Sequence, residues 1–437
     1  MDKFQKFMEK TLMPAAQKLN ANRYLQAIRL AFLGISAFMI IGSIFLLISS
    51  FPSDAYQNFM TSTFGENWSY FVEIPFNAAY SFMALFISFL AAYNLAAYYK
   101  VDGVQAGVLS TVCFIIFTPL TDYSQIIPLL SEDQASTLVS ALPLTWLGTT
   151  GLFTAILCAF FTTEVFRLFV QKDIRIKMPE QVPPEVANSF TTILPGFVIM
   201  ISSLAIRMFF ELCTKFGSIH DFIFDVIAGP IGKAGTGIIG SYVNVFATTT
   251  LWSVGINANG MINSIYRPFW LVNNQENIIA AAQGADVLPH VITEQFFDMV
   301  WMGGGGVTLG LLIAMIISAK SKQNKTMSKL AIVPGVFNIN EPILFGLPVI
   351  LNPIMLIPFN LVPLVMVTTQ YIAMSLNIVA RPAGIIIPWT TPPILSGFLV
   401  TGHISGAVMQ LVNLIIAALI YLPFIKMLDK QHLKEEK

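Results

Sequence analysis

The residues with most chemical content lie in Val336-Phe337-Asn338-Ile339-Asn340-Glu341-Pro342-Ile343-Leu344-Phe345-Gly346, where two amides and a carboxylate open a long apolar run. A carboxylate accepts hydrogen bonds, and amides both donate and accept. That set suits the hydroxyls of a neutral polyol better than a metal ion or a second charge. A glutamate at membrane depth is costly, and such residues usually mark a substrate or ion pathway. Asn338 and Asn340 have a plainer reading too. Asparagine is a good helix N-cap, and Pro342 suits the start of a helix. Both readings hold together if a half-helix begins inside a transporter and presents a site.

Two further stretches carry similar chemistry. In Trp252-Ser253-Val254-Gly255-Ile256-Asn257-Ala258-Asn259-Gly260, an apolar helix is expected to unwind into a polar loop, because glycine permits backbone conformations that other residues resist. Asn257 and Asn259 are candidates to bond sugar hydroxyls, and the Trp252 indole offers a face for a pyranose ring. As an isolated residue, Trp252 reads first as an interfacial belt aromatic. In Pro388-Trp389-Thr390-Thr391-Pro392-Pro393, Trp389 is a second ring platform, while the threonines suit backbone groups freed by the prolines. His290 lies in a polar stretch and is a candidate substrate or proton-relay residue, whereas His403 reads as a turn cap. Arg381 reads as a charge at the edge of a cavity. No phosphate-cradling loop, zinc spacing or Ser/His/Asp order is present.

The chain that must position these residues is that of a polytopic membrane protein. Of its 437 residues 55% are hydrophobic and 11% charged, and the formal net charge is zero, which gives no basic surface for nucleic acid. The first 26 residues lack the apolar core of a signal peptide. Cys113, Cys158 and Cys213 sit in apolar stretches and read as small buried packing residues rather than disulfide or zinc partners. Apolar spans at about 27–50, 77–99, 104–120, 146–170 and 190–212 alternate with loops whose Lys and Arg content places the N-terminus in the cytoplasm.

The second half is irregular. Spans are expected at about 236–254, 307–319, 383–400 and 404–427, with a cytoplasmic loop carrying Lys320, Lys322, Lys325 and Lys329 and a cytoplasmic C-terminal tail. Parity demands one more crossing from the polar region 270–300. Non-helical or polar backbone at membrane depth is tolerated only when protein buries it or it lines a wet cavity. The chain therefore divides into a regular scaffold half, 1–212, and a site-bearing half, 213–437, with no evident repeat between them.

Taken together, these stretches resemble the membrane-embedded IIC components of the sugar phosphotransferase system, in the lactose/cellobiose/diacetylchitobiose branch. The resemblance rests on Asn340-Glu341-Pro342-Ile343-Leu344-Phe345-Gly346, Trp252-Ser253-Val254-Gly255-Ile256 and Pro388-Trp389-Thr390-Thr391-Pro392, and extends over essentially the whole chain. It implies an all-α fold of about ten transmembrane helices with re-entrant hairpins in the sugar-binding half, the N-terminal half forming a homodimer contact. It also implies a bacterial cell membrane location among lipid, both termini cytoplasmic, and a disaccharide substrate such as cellobiose or diacetylchitobiose. No cofactor is implied. Separate cytosolic IIB and IIA components would supply the phosphate, because none of the three cysteines lies in a polar loop. Glu341 would hold the sugar near the hydroxyl to be phosphorylated, as the one residue close to the chemistry, with Trp252 and Trp389 lining the pocket. Members of the family tend to carry histidine where Asn257 stands, so a general base at that position is not carried over. The competing classes are an ion-coupled sugar transporter or multidrug exporter, and a lipid-handling envelope enzyme. The latter would require a catalytic cluster that the sequence lacks.

Overall fold

The computed structural model describes residues 14, 18, 21–51, 53–119, 143–174, 176, 190–253, 255, 258–347, 349–350 and 352–436, and every regular element among them is helical. The helices relevant here are α1 (Arg23–Ser49), α2 (Met83–Tyr99), α3 (Gly103–Phe117), α4 (Leu152–Gln171) and α5 (Ile193–Cys213). They are followed by α6 (Ile238–Ser253), α7 (Asn259–Ala282), α8 (Glu294–Val300), α9 (Thr308–Ser318) and α10 (Lys322–Val336). The chain ends with α11 (Glu341–Gly346), α12 (Pro353–Ser375), α13 (Leu395–Thr401) and α14 (Ile404–Glu435). Six helical stretches among the described residues, 23–49, 68–99, 149–171, 193–213, 354–375 and 404–435, are long and apolar enough to cross a membrane.

Two compact units are present. One contains residues 22–39 and 77–231. In it α2, α3 and α4 pack through fully buried small residues, Ala84, Ala91, Ala92, Ala96, Ala106, Ala155 and Ala159, which let helix backbones approach closely. Cys113 and Cys158 are buried as expected, but Cys213, the last residue of α5, is exposed. An apolar helix that faces outward leaves its cysteine outward as well.

The other unit contains residues 40–76 and 232–437 and holds every motif singled out above. Its core runs through α9, α12 and α14, with Leu311, Leu312, Met366, Val367, Ala417 and Tyr421 fully buried. Two sequence expectations are corrected here. Lys322, Lys325 and Lys329 do not lie in a loop, since α10 starts at Lys322 with the Ser321 hydroxyl capping Asn324 N–H. The apolar run 383–400 is not a spanning helix either. Residues 376–394 are irregular and only Leu395–Thr401 is helical. Pro382, Pro388, Pro392 and Pro393 remove the donors a helix there would need. α12, by contrast, tolerates Pro358 and Pro363. Pro353 occupies its first turn, and the Asn360 amide bonds Leu356 O (2.9 Å) while accepting from Thr249 and Thr250 (2.7 and 3.1 Å).

The polar residues of 270–300 serve that irregular backbone. Asn277 Nδ2 donates to His290 O and Pro382 O (2.8 and 2.9 Å), Asn274 Nδ2 to Gly384 O (3.1 Å) and Asn273 Nδ2 to Ile292 O (2.8 Å). Backbone carbonyls away from water need such partners. At the start of α13, Ile394 adopts φ +75°, rare for a β-branched residue. Gln410 Oε1 holds it there by accepting from Ile394 N–H and Gly397 N–H, both at 2.7 Å.

The far end of α14 is anchored by Asp429, which is buried. Its carboxylate accepts from Lys320 N–H (2.8 Å), Ser321 N–H (3.0 Å), Ser321 Oγ (2.7 Å) and Asn324 Nδ2 (2.9 Å), and so fixes the entry to α10. Asp429→Ala should destabilise this unit by about 2 kcal/mol or more, because several buried donors lose their acceptor together. Thermal unfolding in detergent should show the loss, with Asp429→Asn, which keeps one acceptor oxygen, falling between the two.

Candidate functional site

The site is built around Asn338, in the turn between α10 and α11. The chain there must reverse, and Asn338 takes φ +63°, a left-handed conformation that asparagine tolerates better than most residues. Its side chain is buried and fully used. Oδ1 accepts from Gly303 N–H (2.7 Å), and Nδ2 donates to Trp389 O (2.7 Å) and Thr391 O (2.9 Å). One amide thus joins three segments far apart in sequence.

Asn340 sits at the N-cap position of α11, yet its side chain makes no capping bond. Its Nδ2 donates instead to Gly305 O (3.0 Å). This corrects the capping expectation for both asparagines, because each binds backbone from another segment. The Gly303–Gly306 run admits the approach. Gly304 has φ +88°, and a Cβ there would lie 2.8 Å from Asn338 O. A Cβ on Gly305 would lie 3.1 Å from the Trp252 ring. Trp252 itself is buried at the end of α6 and donates from Nε1 to Asn259 Oδ1 (3.2 Å) at the start of α7. Trp252, Asn259, Asn338, Asn340 and the backbone at Trp389 therefore form one connected cluster.

What this cluster presents differs from what holds it. Glu341, in the first turn of α11, is exposed and has no hydrogen-bond partner among the described residues. The Trp389 side chain is 63% exposed although its carbonyl is tied down. A free carboxylate and an open indole on a rigid polar base can accept hydroxyl protons and cover an apolar ring face.

Other expected site residues fall elsewhere. His290 pairs through Nε2 with the Glu276 carboxylate, and its N–H donates to Asn277 Oδ1 (2.8 Å); neither partner belongs to the cluster. Asn257 lies outside the described residues. Arg381 clamps Leu288 O (2.6 Å) and Asn377 Oδ1 (3.3 Å), and His403 caps α14 by accepting from Ser405 N–H (3.1 Å). The glycine run and the Thr391 carbonyl were missed as parts of the site. Four consecutive glycines were the available signal, since they mark places where backbones or ligands come close. Tyr421 Oη adds to the support by donating to Gly306 O (2.5 Å).

The loss of the Asn338 amide should release two segments at once. In Asn338→Ala, hydrogen exchange should rise both at Gly303 and at Thr391. In Asn338→Asp, which keeps the acceptor but lacks the donor, it should rise mainly at Thr391.

Comparison with known proteins places this geometry in context. The family model described as "Phosphotransferase system, EIIC" matches residues 29–363. The chain is 40% identical over 442 residues to the PTS system cellobiose-specific EIIC component of Geobacillus stearothermophilus, covering 100% of this chain and 97% of that protein. It is also 40% identical over 441 residues to the lichenan permease IIC component of Bacillus subtilis (strain 168), covering 100% and 96%. Among solved structures, it resembles the transporter ChbC, the IIC component from the N,N'-diacetylchitobiose-specific phosphotransferase system. The TM-score is 0.92 and the identity 42%, over 98% of this chain and 99% of the other.

Proposed function

The chain belongs to the phosphotransferase system EIIC family, and on that premise we propose that it binds a β-linked disaccharide, cellobiose or diacetylchitobiose, and carries it across the bacterial membrane. It then presents the sugar to a separate phosphorylated IIB, which transfers phosphate to the C6 hydroxyl. Energy comes from phosphate transfer, and this chain supplies binding, orientation and access.

The observation that carries the reading is the division of labour at the site. Asn338 and Asn340 are consumed by backbone, which leaves the Glu341 carboxylate free beside a rigid support. A carboxylate held this way accepts the hydroxyl proton of a bound sugar and orients that oxygen toward an incoming phosphoryl group. Trp252 and Trp389 line the pocket, with Asn257 and Asn259 completing the hydroxyl contacts. The substrates named for the relatives, cellobiose, lichenan and diacetylchitobiose, support the choice of a β-linked glucoside.

In the same reading 213–437 is the sugar-bearing half and 1–212 the scaffold through which two copies associate. The pair α10–α11 and the irregular segment ending in α13 act as the two re-entrant hairpins in a fold of about ten crossings. The lysines of α10 and of the C-terminal tail put both on the cytoplasmic side, where phospho-IIB arrives.

Replacement of Glu341 tests the assignment. Glu341→Gln should weaken disaccharide binding and slow phosphorylation together, each by roughly ten- to a hundredfold, the size of one hydrogen bond to a charged group. Binding is read by calorimetry on the purified protein and phosphorylation by sugar-phosphate formation with phospho-IIB. A variant that binds and phosphorylates as the wild type does removes Glu341 from the site.

A further inference from the structure

The seam between α6 and α7 holds buried polar atoms that the site described above does not use. On α6, Asn244, Thr248 and Trp252 recur every fourth residue and share one face. On α7, Asn259 and Asn263 do the same. Two rungs join the helices. The first is Trp252 Nε1 to Asn259 Oδ1 at 3.2 Å, and the second is Asn244 Nδ2 to Asn263 Oδ1 at 3.4 Å, near the limit of a hydrogen bond.

Between these rungs the hydrogen bonding is incomplete. Asn244 and Thr248 are 0% and 1% exposed, yet Asn244 Oδ1 and Thr248 Oγ1 have no hydrogen-bond partner among the described residues. The Thr248 hydroxyl is the telling case. Its neighbour Thr249 bonds back to Val245 O (2.8 Å), and Ser253 to Thr249 O (2.7 Å), the usual way such hydroxyls are satisfied in a helix. Thr248 does not. A buried acceptor and hydroxyl left unmade are costly in a low-dielectric interior. They sit about one and two helical turns, 5.4 Å each, from Trp252.

We propose that Asn244, Thr248 and Asn263 form a second hydroxyl-recognition station that takes the sugar ring farther from Glu341. Glu341 follows Asn340, Asn340 bonds Gly305 and Gly305 abuts Trp252, while Thr248 and Asn244 recede from Trp252 one and two turns back along α6. Asn244 Oδ1 accepts one hydroxyl proton, and the Thr248 hydroxyl donates or accepts with a second oxygen. The weak Asn244–Asn263 rung gives way as these bonds form. The station makes the permease select disaccharides over single sugars, and it rests on the functional reading above. Ordered water satisfies the same atoms by the same chemistry, so the test must separate the two.

Purified full-length protein in lipid nanodiscs is titrated with cellobiose and with methyl β-glucoside, for the wild type, Thr248→Val and Thr248→Ser. The ratio of the two affinities should fall about five- to tenfold in Thr248→Val, the size of one lost hydrogen bond, and stay within about twofold of wild type in Thr248→Ser. If the ratio in Thr248→Val is unchanged, whether both affinities hold or both fall alike, the seam belongs to water or packing and the proposal is overturned. Cellobiose binding by the wild type leaves the functional reading intact in that case. A wild type that binds neither sugar overturns the functional reading, and the station with it.

Discussion

The amide of Asn338 is bonded at both ends to backbone of distant segments. Gly303 N–H lies 35 residues away and Trp389 O and Thr391 O, together on a second segment, lie 51 and 53 residues away, and neither segment is regular helix at that point. In a lipid-embedded chain, irregular backbone survives only where protein or a wet cavity satisfies it. Asn338 meets that condition for two distant segments with one side chain. Its own left-handed backbone brings Asn340 to Gly305 and leaves Glu341 facing outward. Removal of the amide would leave the glycine run, the tryptophan-bearing segment and the start of α11 without a common point.

The same constraint separates two groups among the polar residues of this apolar chain. Asn277, Asn360, Gln410 and Asp429 are occupied by carbonyls, amide hydrogens or neighbouring hydroxyls, and their role is to support turns and irregular backbone. Glu341 and the Trp389 ring lie outside that bonding and are exposed. Support and presentation thus fall to different residues, often adjacent ones. Function follows from what the backbone leaves unused, and Asn338 beside Glu341 shows both within four positions.

Local signals in the sequence found most of the helices. The spans expected at 27–50, 77–99, 146–170 and 190–212 correspond to α1, α2, α4 and α5, because long apolar runs in a membrane chain have few alternatives to helix. The cap at His403 and the helix start at Glu341 were legible for similar local reasons. The run 383–400 misled because apolar composition does not distinguish a helix from extended backbone whose carbonyls are met by distant amides. At the site, residue types pointed to the right neighbourhood, but the division between Asn338 and Glu341 depends on Gly303 and Trp389. Pairing across 35 to 51 residues leaves no periodicity to read.

The central claim is that a sugar held at this cluster is released to the cytoplasm as its phosphate. The direct measurement uses vesicles containing the purified chain and labelled cellobiose outside, with and without phosphorylated IIB inside. Sugar 6-phosphate should accumulate in the lumen only with phospho-IIB, and at the same rate after any ion gradient has been dissipated. Accumulation of unmodified cellobiose that collapses with the gradient would contradict the account and identify an ion-coupled transporter.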